Sequence, residues 1–127
     1  MTPTPSVIKF GGSLLSDAAA RGAFLKDVAK FSKKESVVLV HGGGPQINAA
    51  LDKMGIKSAW VNGRRVTDEA AMAVVEGVLS GQVNKNLVGE LNARGVAAVG
   101  LSGRDAGPLT ATPVPELGRV GKPAKVR

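Results

Sequence analysis

The sequence predicts an α/β domain: a three-layer α/β/α sandwich on a mainly parallel sheet. Short β-branched runs alternate with amphipathic helical patterns in the order strand, helix, strand, helix, which joins parallel strands by right-handed crossovers. Two of those runs stop at glycine clusters, "GGS" at 11–13 and "HGGG" at 41–44. Parallel strands bring both clusters to one rim of the sheet, at the carboxyl ends of the strands, where open α/β sheets bind ligands. With 127 residues, 43% hydrophobic and 21% charged, residues 1–127 are expected to form a single globular domain.

"SVIKF", Ser6 to Phe10, reads as a short buried strand. From Leu14 to Ser32, apolar Ala20, Phe24, Val28 and Phe31 recur at steps of three and four, and Ser16 or Asp17 suits the cap of an amphipathic helix. "ESVVLV", Glu35 to Val40, is a second strand, and Pro45 then sits where the first turn of a helix tolerates proline, with that helix running to about Met54. Asn62-Gly63 inside "SAWVNGRRVTDE" is a two-residue hairpin signal. Thr67 or Asp68 would cap the next helix, which carries Ala71, Val74, Val75, Val78 and Leu79. After Gly81 the pattern resumes with Val83, Leu87, Val88 and Leu91 and stops at Gly95. "VAAVGLSG", Val96 to Gly103, is expected to be a third buried strand ending in the loop "SGRDAG". Beyond it, Pro108, Pro113, Pro115 and Pro123 leave room only for short edge strands or a loose hairpin.

Composition narrows the function classes. There is no cysteine, so disulfides, thiolate metal sites and thiol nucleophiles are excluded, and the cytoplasm is the simplest location. No apolar run reaches the roughly 18 residues of a membrane span, so no membrane partner is expected. The formal charge of +7 raises the question of nucleic acid, but three Phe, one Trp and no Tyr offer hardly any surface for stacking bases. Lys26, Lys30, Lys33 and Lys34 on the first long helix read as a solvated face, and no nucleic-acid partner is expected.

Glycine loops at strand ends let backbone N–H groups approach an anion closely, which suits phosphate. Neither the P-loop nor the dinucleotide fingerprint is present. Lys9, two residues before Gly11, is either an edge residue in solvent or a point charge set to neutralise transferring phosphate. Arg65, just past the hairpin turn, can offer a planar fork to a carboxylate, while Arg64 would point to the opposite face if this piece is a strand; taken alone, either arginine reads as a surface charge. His41, the sole histidine, rules out a multi-histidine metal site and reads as a loop-packing residue bonded through its ring, with a catalytic base as the alternative. Asp105 caps its loop or faces the site. Asn84 and Lys85 read as solvent-exposed or as a helix-to-loop contact.

The ordered set "IKFGGS", "VLVHGGGPQIN", "VNGRRVTDE", "VNKNLV" and "AVGLSGRDAG" resembles the amino-acid kinase family, which has the carbamate kinase-like fold, and within it the acetylglutamate kinase branch. The resemblance implies transfer of the γ-phosphoryl group of ATP, with Mg2+, to the side-chain carboxylate of N-acetylglutamate in arginine biosynthesis. Lys9 would stabilise the transferring phosphoryl group and Gly11 and Gly12 would donate amides to the phosphates. Gly43 and Gly44 would lie against the acyl acceptor, and Arg65 would grip the α-carboxylate; no protein-bound metal is implied. Family members are about twice as long, so the chain is expected to be the amino-terminal substrate lobe without the carboxyl-terminal nucleotide lobe, and a homodimer through this lobe is implied. Two alternatives stay open: a non-catalytic lobe that binds an acylamino acid or serves assembly, and a kinase acting on an aminoadipate derivative of lysine biosynthesis.

Overall fold

A computed structural model of the chain describes residues 4–105, 107, 109–113 and 121–126. Strand β1 (Ser6–Phe10) pairs in parallel with β2 (Val37–His41), Lys9 opposite Val40 and Phe10 opposite His41. The crossover between them holds a one-turn helix α1 (Gly12–Ser16) and a longer α2 (Ala18–Phe31). The sequence pattern predicts one helix from Leu14 to Ser32, but the chain breaks at Asp17. There the backbone is extended and the side chain accepts a hydrogen bond from the Ala20 amide at 2.9 Å, capping α2. That start sets which residues of α2 face inward: Leu25, Val28 and Ala29 are buried, while Phe31 is left exposed.

Helix α3 (Gly44–Lys53) follows β2 with Pro45 in its first turn, as the sequence implies. The hairpin β3 (Ala59–Val61) and β4 (Arg64–Val66) turns through Asn62 and Gly63, both at positive φ (49° and 72°), the geometry that the Asn-Gly pair predicts. Asp68 caps helix α4 (Glu69–Glu76) through the Ala71 amide at 2.8 Å. Asp68→Ala is therefore expected to destabilise the chain by about 1 kcal/mol, measured as a lower denaturant midpoint, and Asp68→Asn should retain most of that stability.

The helical pattern that resumes after Gly81 belongs to one continuous run. Helix α4 passes into a π-helical segment, Gly77–Val83, and then into α5 (Asn84–Asn92). The Asn84 amide bonds Leu79 O, five residues back, which carries the backbone hydrogen bonding across the glycine. The helix stops where Gly95 takes φ 79°.

The core lies between the strand pair and these helices. Leu25 and Leu51 are fully buried and pack with Phe10, Leu15, Val28, Ile47, Leu87 and Leu91. Phe10 and Phe24 stack in a tilted pair with centroids 4.9 Å apart. On the other face of the strands, Val7, Lys9, Val38 and Val40 share one exposed side.

Residues 96–103 do not form the expected third strand. They line the far wall of a cleft of about 900 Å³ whose near wall is β2, with Val28, Leu87 and Leu91 from the helices between them. The reason lies in how their backbone groups are used. The Ala98 amide is shared between Val96 O (2.8 Å) and Asn92 Oδ1 (3.0 Å), Gly100 O accepts from Lys85 Nζ (3.0 Å), and Leu101 O accepts from Asn84 Nδ2 (3.4 Å). These groups are satisfied by partners other than β2. Beyond the cleft, β5 (Leu109–Pro113) and β6 (Gly121–Val126) form the expected hairpin, antiparallel with an irregularity between Thr110 and Ala111. Pro108 and Pro115 lie outside the described residues. Among the described residues no helix is long and apolar enough to cross a membrane.

Candidate functional site

The two glycine loops meet. A β-carbon built on Gly12 would lie 2.7 Å from Pro45 Cδ and 3.5 Å from the Gly44 amide nitrogen, so the turn after β1 abuts the start of α3. Proline's ring cannot swing aside, which is why position 12 takes a residue with no side chain. Around Gly11, Gly42 and Gly44 the same construction meets nothing within 4 Å, leaving open space beside backbone at the sheet rim.

Gly43 serves a different end. Its hypothetical β-carbon would sit 2.7 Å from Leu79 Cδ2 and 3.5 Å from Val83 Cγ2, so the bare α-carbon lets the π-helical segment pack on the loop. Its carbonyl accepts the Ile47 amide at 2.9 Å, opening α3. The three consecutive glycines thus divide their work: Gly43 makes room for a neighbouring helix, while Gly42 and Gly44 border open space.

Lys9 is exposed on the bare face of β1, and no carboxylate among the described residues lies within ion-pair distance of it. Arg65 is more constrained. The two-residue turn puts it directly across from Trp60, and its guanidinium lies over the indole ring, 4.5 Å from the ring centroid. It also donates to Asn48 Oδ1 on α3 and to Ser58 Oγ. The hairpin arginine is thereby tied to the helix that begins at Gly44, while Arg64, on the opposite face, is exposed. The register of the hairpin, readable from Asn62-Gly63, signals the Trp60–Arg65 pair; the Asn48 contact depends on how the hairpin folds back onto α3.

His41 packs into the loop as the sequence suggests. Nδ1 is 3.0 Å from Gly42 O, and the ring lies 6.4 Å, centroid to centroid, from Phe10. Asn84 Nδ2 is 3.3 Å from Nε2 and also donates to Leu101 O. Lys85 donates to Asn84 Oδ1 (3.2 Å) and Gly100 O (3.0 Å). A β-carbon at Gly100 would overlap the Asn84 amide. Asn84, buried, and Lys85, exposed, therefore both make the helix-to-loop contact, and the link from Asn84 to His41 is one the helical pattern alone does not reveal.

Asp105 caps its loop. Ser102 donates from its backbone amide and, at 2.9 Å, from its hydroxyl, and one guanidinium nitrogen of Arg104, Nη1, reaches both carboxylate oxygens of Glu76 (2.7 and 2.8 Å), which holds the loop to α4. The Ser102 backbone bond first, then its hydroxyl, hold the Asp105 carboxyl below the usual aspartate value, with nearby Lys85 acting in the same direction. A depressed folded value means that this cap is fully formed above the ordinary carboxylate range and lost as pH falls through the lowered value. A pH titration of the Ser102 amide resonance should show its midpoint below that of an ordinary aspartate, and Ser102→Ala should move the Asp105 midpoint upward.

The fold and this rim define the class. The chain belongs to the amino acid kinase family, whose profile matches residues 5–127. Among curated relatives, the acetylglutamate kinase of Jannaschia sp. (strain CCS1) is 51% identical over 122 residues, covering 94% of this chain and 43% of the relative. The acetylglutamate kinase of Endomicrobium trichonymphae is 47% identical over 121 residues, 95% of this chain and 49% of the relative. The chain thus spans less than half the length of each of these relatives. Of solved structures, the smu.665 protein of Streptococcus mutans UA159 superposes with a TM-score of 0.76 at 28% identity, over 95% of this chain and 50% of that one. N-acetylglutamate synthase from Neisseria gonorrhoeae, complexed with coenzyme A and L-arginine, superposes at 0.63 with 20% identity, over 94% of this chain and 30% of that one, a likeness of fold.

Proposed function

We propose that this chain is the substrate-binding part of an acetylglutamate kinase. The observation that carries the reading is the contact of the two glycine loops, Gly12 against Gly44 and Pro45, with Arg65 anchored to the same helix start through Asn48. The names of the relatives supply the substrate. In this reading Arg65 holds the α-carboxylate of N-acetylglutamate, and the backbone at Gly43 and Gly44 orients its side-chain carboxylate. Gly11 and Gly12 face the phosphates of ATP.

One carboxylate oxygen attacks the γ-phosphorus, the bond to the β,γ-bridging oxygen breaks, and ADP leaves with that oxygen's negative charge. Lys9 offsets charge on the transferring group. Among the described residues no three acidic, histidine or cysteine side chains gather to hold a metal ion, and in this reading Mg2+ would arrive with ATP, with no step assigned to it. We further read the assembly as a homodimer through this lobe, in the cytoplasm, and sedimentation showing only a monomer would remove the dimer.

Calorimetry of the chain with N-acetylglutamate should show saturable binding. With ATP, Mg2+ and hydroxylamine, a hydroxamate would report the acyl phosphate. Binding without hydroxamate fits a substrate lobe alone; absence of N-acetylglutamate binding would overturn the proposal.

A further inference from the structure

Asn84 is buried, and its side chain lies between the His41 ring, the Lys85 ammonium group and the Leu101 carbonyl. Its orientation follows from its neighbours. The Lys85 ammonium group can only donate, so the atom it meets is Oδ1. Nδ2, a donor, therefore faces His41 Nε2, which must accept. On the other side of the ring, Gly42 O can only accept, so Nδ1 carries the proton. The donors and acceptors close in one way, and they fix the Nδ1–H tautomer of His41.

The fixed tautomer sets the direction of one peptide group. The bond between Gly42 and Gly43 is trans and planar, so a Gly42 carbonyl directed at the His41 ring turns the Gly43 N–H the opposite way. A glycine pair left to itself has more backbone freedom than any other sequence, so an external constraint is needed to hold that amide in one direction.

We propose that Asn84 is a positioning residue: through the Nδ1–H tautomer of His41 and the Gly42 carbonyl, it aims the Gly43 amide at the acylamino-acid site. The role of Gly43 at that site rests on the function proposed above; the tautomer and the aim of the amide do not.

His41 is the sole histidine, so long-range 1H–15N spectra of the chain read its tautomer without assignment ambiguity. The expected result is a protonated Nδ1 and a bare Nε2. Asn84→Asp keeps the shape beside Gly100 but replaces the donor with an acceptor; in alkaline solution, where the ring holds a single proton, this should move that proton to Nε2 and shift the Gly43 amide resonance. N-acetylglutamate affinity should fall by up to about tenfold, the effect of one lost hydrogen bond. His41→Asn, whose side-chain amide overlays ring Nδ1, should keep the Gly43 resonance near its original position and serves equally if the Asn84→Asp chain fails to fold.

A bare Nδ1 in the unmodified chain, an unmoved Gly43 amide in Asn84→Asp, or a displaced Gly43 amide in His41→Asn would overturn the proposal. If N-acetylglutamate leaves the Gly43 resonance of the unmodified chain unmoved, the substrate reading falls, while the tautomer measurement still decides whether Asn84 sets the loop.

Discussion

Arg65→Ala is expected to weaken N-acetylglutamate binding by about 2 kcal/mol or more, roughly thirtyfold in Kd, because a carboxylate would lose a charged, planar partner already held in place. The structure explains why lysine should not rescue it. The guanidinium lies over the Trp60 ring while donating to both Asn48 and Ser58, and an ammonium point charge cannot meet those three neighbours at once. Calorimetry on Arg65→Ala and Arg65→Lys should give similar, weak affinities. Losing the stack on Trp60 should cost only about 0.5–1 kcal/mol of stability, so a melting curve separates loss of binding from loss of fold. Unchanged affinity in Arg65→Ala would remove the arginine from the site.

The second large effect is expected in the core. Leu51 is fully buried on the inner face of α3, and Leu51→Ala should destabilise the chain by about 2–5 kcal/mol through lost burial and the cavity left behind. Folded domains are stable by only about 5–15 kcal/mol, so this one side chain holds a large share. Denaturant unfolding should show the midpoint falling with little change in slope. A loss below about 1 kcal/mol would mean that α3 is not seated in the core, against α1, α4 and the π-helical segment, as described. The effect bears on function because α3 starts at Gly44 and carries Asn48.

How much of this is legible in the sequence depends on the range of the forces involved. Local chemistry is legible: Asp17 and Asp68 cap the helices that they precede, Asn62-Gly63 makes the turn, and Pro45 opens α3. Each of these acts within about four residues. The break between α1 and α2 escapes the pattern because apolar spacing continues through a cap that could serve either a new helix or a frayed one. Val96–Gly103 has the composition of a buried strand, yet Asn92, Asn84 and Lys85 bind its backbone first. That competition is tertiary and leaves no periodic trace. In the site, the glycine clusters and Arg65 are visible as residue types, and the pairing of Trp60 with Arg65 follows from the hairpin register. The split of labour within "GGG" is not visible, because only the docked helix distinguishes Gly43, against Leu79, from Gly42 and Gly44.

Leu79 packs on Gly43 and Asn84 bonds His41, two neighbouring points of one loop, from positions five apart on one helix. On a regular α-helix such positions diverge by about 140° of azimuth, and the wider turn of i→i+5 bonding narrows that divergence. The wide turn therefore works as a vernier between helix and loop. Deleting Ser80 should rewind it and let the chain keep one of the two contacts but not both, which the amide shifts of Gly42 and Gly43 would show; retention of both would mean that the surplus residue has no bearing on the loop.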